Sequence, residues 1–108
     1  MSMSEAKYQH RIIQRIQSLV PGCLVMKNDP TWIQGIPDLL VLFGDRWVML
    51  EVKASIDESY QPNQLHYLER LNDMSFAQMI CPENEEDVLN AVQQAFGFEW
   101  QTRLFESK

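Results

Sequence analysis

Two apolar segments joined by a very short connection constrain the fold of this chain more than any other feature. Leu39–Phe43 and Trp47–Lys53 are mostly apolar, and their valine and aromatic side chains favour strands. Gly44-Asp45 lies between them and is typical of a tight turn. The sequence therefore predicts an antiparallel hairpin at the centre of the domain.

The remaining hydrophobic periodicity predicts alternating helices and strands around this hairpin. Helices are expected over Glu5–Val20, Pro62–Asn72 and Glu85–Phe96, and further strands over Cys23–Lys27 and Phe76–Cys81. The order α-β-β-β-α-β-α predicts an α/β fold, a mixed sheet flanked by helices. We expect one domain over residues 1–97, followed by a tail, residues 98–108, whose structure the pattern does not assign.

Composition narrows the function classes. The chain of 108 residues has no apolar run long enough to span a membrane and no signal-peptide pattern at its start. Its two cysteines, Cys23 and Cys81, are expected to be free thiols, which predicts a reducing, cytoplasmic setting. The net charge of −6 argues against nonspecific coating of nucleic acid, so a nucleic-acid role would need a local basic patch or metal ions.

Charged residues at one end of the hairpin are unexpected in a buried sheet. Because side chains alternate along a strand, Glu51 and Lys53 share a face with Trp47 and Met49. Hairpin pairing then brings Asp38, at the start of the second strand, close to both charged residues. A salt-bridge cluster at a strand end is the simpler interpretation of this set.

Two further polar residues are predicted to face the same position. Glu5 lies within about 20° of Ile12 and Ile16 on a helical wheel, and Gln64 lies on the arc of Leu68 and Leu71. Helix capping by a Ser-x-x-Glu box would also explain Glu5, and a backbone partner would also explain Gln64.

Three acids converging in a core are costly unless a cation compensates them. Carboxylates without cysteine or histidine favour Mg²⁺ or Mn²⁺. Such an ion, held beside a lysine, is suited to phosphodiester hydrolysis, because it activates water and neutralises transition-state charge.

These residues resemble a known nuclease motif. Ile36-Pro37-Asp38 followed by Glu51-Val52-Lys53 is similar to the PD-(D/E)XK pattern, with a hairpin between its halves. Together with Gly35 and Gln64, the pattern resembles the VRR-NUC branch, whose small stand-alone members occur in phages and bacteria. The resemblance extends from about Glu5 to the last helix.

The resemblance implies a restriction-endonuclease-like fold and Mg²⁺-dependent DNA cleavage, with Mn²⁺ as a substitute. It implies a cytoplasmic enzyme of a bacterium or a phage-infected host. Glu5, Asp38, Glu51 and the main-chain carbonyl of Val52 would be metal ligands. Lys53 would serve the attacking water, and Gln64 would support the phosphate or the lysine. Analogy with stand-alone members also implies a homodimer acting on branched DNA such as Holliday junctions.

Candidate DNA-binding residues are few in so acidic a chain. Lys7, Arg11 and Arg15 recur every four residues along the first helix, and Lys27 is expected to extend this stripe. A solvated helix face explains the same spacing. Trp32, in the loop before Asp38, is a candidate for stacking on an unpaired base, although a packing role is the more common one for a single aromatic residue.

Two other function classes stay open at this stage. One is a non-catalytic nucleic-acid- or protein-binding module that keeps the nuclease fold. The other is a small interaction protein with a structural charge cluster, in which the tail (Phe98, Trp100, Leu104 and Phe105) binds a partner. The same tail is a candidate part of a homodimer interface.

Overall fold

A computed structural model describes residues 3–98 of the chain. Seven elements follow one another: α1 (Glu5–Leu19), β1 (Leu24–Lys27), β2 (Leu39–Phe43), β3 (Arg46–Val52), α2 (Gln64–Met74), β4 (Phe76–Ile80) and α3 (Glu85–Ala95). Their order and type confirm the predicted α/β fold with a mixed sheet. Each predicted boundary is correct to within two residues. The predicted tail, apart from Phe98, lies outside the described residues.

Helix α1 begins at a serine cap. The hydroxyl of Ser4 accepts a hydrogen bond from the main-chain nitrogen of Lys7 at 3.2 Å, which satisfies one free amide of the first turn. The predicted capping box would use Ser2, which lies outside the described residues. Tyr8, Ile12 and Ile16 recur every four residues and are buried, so one face of the helix packs on the sheet.

The four strands form one sheet in the order β1-β2-β3-β4. The first three strands are antiparallel, and Leu39 of β2 pairs with Leu50 of β3. Strand β4 is parallel to β3, which requires a crossover connection, and α2 provides it. Because β2 and β3 are antiparallel, the start of β2 lies beside the end of β3, at one end of these two central strands.

The two faces of the sheet differ in what covers them. Val48, Leu50 and Val52 of β3 are fully buried in the main core, which α1 and α3 complete. On the opposite face, α2 packs mainly on β4. Leu24 and Met26 of the edge strand β1 are 57% and 46% exposed, so part of this second face is open.

Cys23 and Cys81 are free thiols, as predicted. Among residues 3–98, the helices are all too short or too polar to cross a membrane.

Candidate active site

Asp38 is fixed to the end of β3 by a main-chain contact. It lies one residue before the Leu39–Leu50 pair, which places it opposite Glu51. Its Oδ2 atom accepts a hydrogen bond from the main-chain nitrogen of Val52 at 2.8 Å. The hairpin register therefore holds the aspartate beside the Glu-Val-Lys segment, as the alternation of side chains predicts.

Glu51 and Lys53 are buried despite their charges. Only 3% of Glu51 and 5% of Lys53 is exposed, and the Lys53 Nζ atom lies 3.7 Å from Glu51 Oε2. Lys53 extends the parallel pairing beyond β3, since its main-chain nitrogen donates to the carbonyl of Ile80 at 2.9 Å. A buried ion pair of this kind is a weak source of stability, so its position calls for another explanation.

Gln64, the first residue of α2, bridges the two charges. Its Nε2 atom donates to Glu51 Oε2 at 2.9 Å, and its Oε1 atom accepts from Lys53 Nζ at 2.9 Å. The main-chain nitrogen of Gln61 also donates to Oε1, at 2.7 Å. The amide orientation is thereby fixed, and the prediction that Gln64 faces inward is correct.

A close approach between two loops sets the position of α2. Gly35 has a φ of 92°, and a Cβ atom built there would lie 2.7 Å from the main-chain carbon of Asn63. Only glycine fits such an approach without displacing the backbone. Asn63 itself precedes Gln64 in a left-handed conformation, with a φ of 69°. The Gly35–Asn63 contact therefore sets the distance between Asp38 and Gln64.

The electrostatics of the site favour an additional cation. Burial and the neighbouring Asp38 carboxylate raise the pKa of Glu51 to about 8, and the single charge of Lys53 only partly offsets these two effects. Burial also raises the pKa of Asp38, although the Val52 amide and Lys53 oppose this. Glu51 Oε1 is buried without a hydrogen-bond partner among residues 3–98. A buried acceptor left unpaired costs about 1–3 kcal/mol, which a ligand at this atom would offset.

Glu5 lies at the rim of the site rather than in the core. It is an exposed residue, which corrects the expectation of a core-facing position. Burial and a hydrogen bond with Glu58 raise its pKa, and the charge of Asp38 adds to this effect. Glu5 is therefore close enough to the pocket to interact with Asp38, although its partner is another carboxyl group.

Glu58 is the acidic residue that the sequence did not indicate. Its Oε1 atom accepts a hydrogen bond from the main-chain nitrogen of Ala54 at 3.1 Å, and its own nitrogen donates to the carbonyl of Ser55 at 3.2 Å. These contacts fold the polar loop back toward Glu5. The position of Glu58 depends on this loop closure, for which the sequence carries no periodic signal.

A divalent cation fits the donor set only in part. The facing carboxyls of Asp38 and Glu51, with the unpaired Glu51 Oε1, are hard oxygen donors of the kind that Mg²⁺ prefers. Within residues 3–98, however, no three acidic, histidine or cysteine side chains are grouped closely enough to hold a metal ion. Asp38 and Glu51 could thus supply two carboxylate ligands to a cation. Glu5 and the Val52 carbonyl remain predicted ligands.

The predicted basic stripe is largely engaged within the protein. Arg15 pairs with Glu85 and, at 2.7 Å, with Glu86, while Arg11 Nη2 lies 3.5 Å from Glu85 Oε2. These pairs tie α1 to the first turn of α3. Lys7, Lys27 and Trp32 are exposed.

Comparison with known proteins agrees with this fold. A solved structure described as "VRR_NUC domain" matches with a TM-score of 0.59 and 28% sequence identity, over 71% of this chain and 82% of that chain. A scan against protein-family models finds no match, and neither does a search of curated proteins. The mixed sheet, the flanking helices and this likeness define a nuclease fold of the restriction-endonuclease type. In fold and in sequence, the chain is therefore similar to a VRR-NUC domain.

Proposed function

We propose that this protein is a Mg²⁺-dependent DNA endonuclease that hydrolyses phosphodiester bonds. The observation that carries the proposal is a charged cluster where β3 ends: Glu51 and Lys53 are buried, and Gln64 hydrogen-bonds to both. Asp38, which is half-buried, is held beside them by the main-chain nitrogen of Val52. In a nuclease fold, such a charged cluster is expected to take part in catalysis, whereas a structural salt bridge would not.

Asp38, Glu51 and the Val52 carbonyl would hold Mg²⁺, or Mn²⁺ in its place, with Glu5 as a further ligand. When bound, the metal lowers the pKa of a coordinated water and offsets negative charge on the phosphate. The protein's own residues supply the rest. Lys53 carries a positive charge to the position where charge develops on the phosphate or the attacking water. Gln64 holds the Lys53 ammonium and the Glu51 carboxylate in fixed orientations.

The finer specificity is also a proposal. We expect the enzyme to prefer branched DNA, such as four-way junctions, and to act as a homodimer. The open side of edge strand β1, with Leu24 and Met26 exposed, supports an interface between two copies. Leu24→Glu should therefore yield a monomer in sedimentation velocity, whereas Met74→Glu, at a 61% exposed position on α2, should leave the dimer intact. A wild-type monomer, or a dimer unaffected by Leu24→Glu, would rule out this interface.

A non-catalytic binding module with the same fold is the second candidate. It is favoured by the pairing of Arg11 and Arg15 with acids of α3, which leaves little basic surface for DNA.

Cleavage assays separate the two candidates. Labelled four-way-junction, flap, duplex and single-stranded DNA would be incubated with the protein in Mg²⁺, Mn²⁺ or EDTA. We expect metal-dependent cleavage that Asp38→Ala abolishes and Asp45→Ala, in the exposed hairpin turn, retains. Absence of cleavage on every substrate by a protein that still binds DNA would favour the binding module.

A further inference from the structure

Trp32 is the most exposed large apolar residue that the structure describes. It is 84% exposed, whereas tryptophan is usually well buried in soluble proteins. The packing role that is common for a single loop aromatic is therefore wrong for Trp32. Keeping so large an apolar side chain in water is unfavourable, which points to a partner that covers it.

A pocket of about 410 Å³ lies beside this side chain. Its lining residues are Asn28, Asp29, Trp32, Ile33, Ile36 and Met49. The volume is within the range of small-molecule sites, which are mostly apolar with a few polar groups. Four of the six lining residues are apolar, so the pocket suits a flat, weakly polar group.

Hydrogen bonds give the pocket a defined shape before any ligand binds. Asp29 Oδ1 accepts from the main-chain nitrogen and the hydroxyl of Thr31, at 2.9 and 2.6 Å. Asn28 Nδ2 donates to the carbonyl of Pro37 at 2.8 Å and contacts Met49 Sδ at 3.6 Å. The loop is thus tied to β3 on one side and to the residue before Asp38 on the other.

The pocket adjoins the candidate active site. Met49, in its wall, and Glu51 lie two residues apart on the same face of β3, a separation of about 7 Å along the strand. Pro37, which anchors Asn28, is followed directly by Asp38. A group in the pocket would therefore belong to a nucleotide at or beside the phosphate that the active site holds.

We propose that this pocket binds an unpaired nucleobase of the DNA substrate, with the base stacked on the indole of Trp32. The proposal rests on the proposed function, since it takes DNA as the ligand. Stacking on an exposed aromatic side chain is a sequence-tolerant mode of recognising unpaired bases. A base inside a duplex is stacked on both faces and would have to flip out at a cost of a few kcal/mol, so the pocket favours DNA whose bases are unpaired, or readily unpaired at a branch point, beside the cleavage position.

The polar group at the pocket favours a base over the sugar-phosphate backbone. Asp29 is exposed, and its hydrogen bonds with Thr31 lower its pKa, so it carries a negative charge at neutral pH. A carboxylate repels phosphate but accepts hydrogen bonds from the amino groups of adenine, cytosine and guanine. The backbone is thereby directed toward the cation site at Asp38 and Glu51, and the base toward Trp32.

The test measures binding separately from cleavage. Branched DNA carrying fluorescent 2-aminopurine at an unpaired position beside the branch would be titrated with the Lys53→Ala protein in Mg²⁺. Quenching on binding is expected from stacking on Trp32. Trp32→Ala in this background should abolish the quenching and weaken binding by about 5- to 100-fold. Trp32→Phe should retain much of both, and Leu65→Ala, at an exposed apolar position on α2, should retain all.

Two comparisons decide the outcome. Replacement of the unpaired nucleotide by an abasic site should remove the dependence on Trp32, and fully paired duplex should show none. If Trp32→Ala weakened the binding of all these DNAs equally, the proposal would be wrong. A change from dimer to monomer in sedimentation velocity would also overturn it, because Trp32 would then be covered by a second copy of the chain. Wild-type protein that quenches 2-aminopurine but never cleaves DNA would contradict the proposed nuclease while leaving the pocket intact.

Discussion

The side-chain carbonyl of Gln64, which is half-buried, accepts a hydrogen bond from the ammonium of the buried Lys53 at 2.9 Å. The same glutamine donates to Glu51 at 2.9 Å, so a single neutral side chain orients an acid and a base. Because it lies on the first turn of α2, Gln64 couples the position of that helix to the charges at the end of β3.

Replacement of Gln64 by alanine should reduce cleavage more than it reduces stability. Lys53 and Glu51 keep their main-chain positions at the end of β3, but each loses a partner that fixes its orientation. Loss of such a supporting partner typically costs about 10- to 100-fold in activity or metal affinity. Single-turnover cleavage rates would measure this, with Gln78→Ala on the exposed side of β4 as the control. A rate within twofold of wild type would show that Gln64 has no part in the reaction.

Stability of the metal-free protein should fall as the pH rises from about 4.5 to 8. In this range folded Glu51, whose pKa is about 8, holds a proton that an unfolded glutamate has released. The folded state therefore binds more protons, and the free energy of unfolding decreases with increasing pH. Thermal unfolding in EDTA at pH 5, 6.5 and 8 would measure the slope.

Two changes should flatten this pH dependence. Glu51→Gln removes the titrating group, and saturating Mg²⁺ displaces its proton when the cation binds. If the wild type in EDTA were equally stable across this range, the raised pKa of Glu51 would be wrong. If Mg²⁺ left the slope unchanged, the metal would not bind at this carboxylate.

Gly35→Ala should disrupt the site through the backbone. The new Cβ atom would meet the main-chain carbon of Asn63 at 2.7 Å, in addition to the strain of a positive φ. Gly44 provides a matched control, because it has a φ of 62° but nothing within 4 Å of an added Cβ. Gly44→Ala should cost about 1–2 kcal/mol in the free energy of unfolding, and Gly35→Ala clearly more. Urea denaturation of both variants measures the difference, and equal losses would contradict the close approach.

Arg15→Ala should act on stability rather than on DNA binding. Glu85 has a side chain that is only 6% exposed, so removing Arg15 leaves a nearly buried carboxylate with Arg11 as its remaining partner. We expect a loss of roughly 1–3 kcal/mol in the free energy of unfolding.

The salt dependence of DNA binding distinguishes this structural role from phosphate contact. Arg15→Ala should leave the slope of log K against log salt unchanged, whereas Lys7→Ala, at an exposed position on the same helix, should reduce it by about one if Lys7 contacts a phosphate. A reduced slope for Arg15→Ala would show that Arg15 contacts a phosphate, as the basic stripe predicted from the sequence requires.

The hairpin and the arrangement at its end follow from local periodicity. A repeat of two residues along β3 separates Val48, Leu50 and Val52 from Glu51 and Lys53, and pairing across a two-residue turn then places Asp38. The helical period likewise places Gln64 on the inner side of α2. Each of these inferences uses residues that are close in sequence.

The features that the sequence did not reveal depend on contacts between distant segments. From the sequence alone, Arg15 is interpreted as part of a solvated helix face. In the fold, Glu85 and Glu86 of α3, about 70 residues later in the chain, pair with it. The exposed position of Glu5 reflects its place in the first turn of α1, before Tyr8 begins the buried face of the helix. Glu58 depends on the closure of an irregular loop, and hydrophobic patterns carry no information about such loops.

The most direct test of the proposed active site compares two basic residues. Lys53 is buried beside Glu51 and Gln64, whereas Arg70, on α2, is exposed. Single-turnover cleavage of a four-way junction in Mg²⁺ would be measured for wild type, Lys53→Ala and Arg70→Ala, each confirmed as folded by circular dichroism. We expect Lys53→Ala to lower the rate by at least about 100-fold, with Arg70→Ala within a few-fold of wild type. Metal-dependent cleavage that persists unchanged in Lys53→Ala would contradict the assignment of this cluster as the catalytic site.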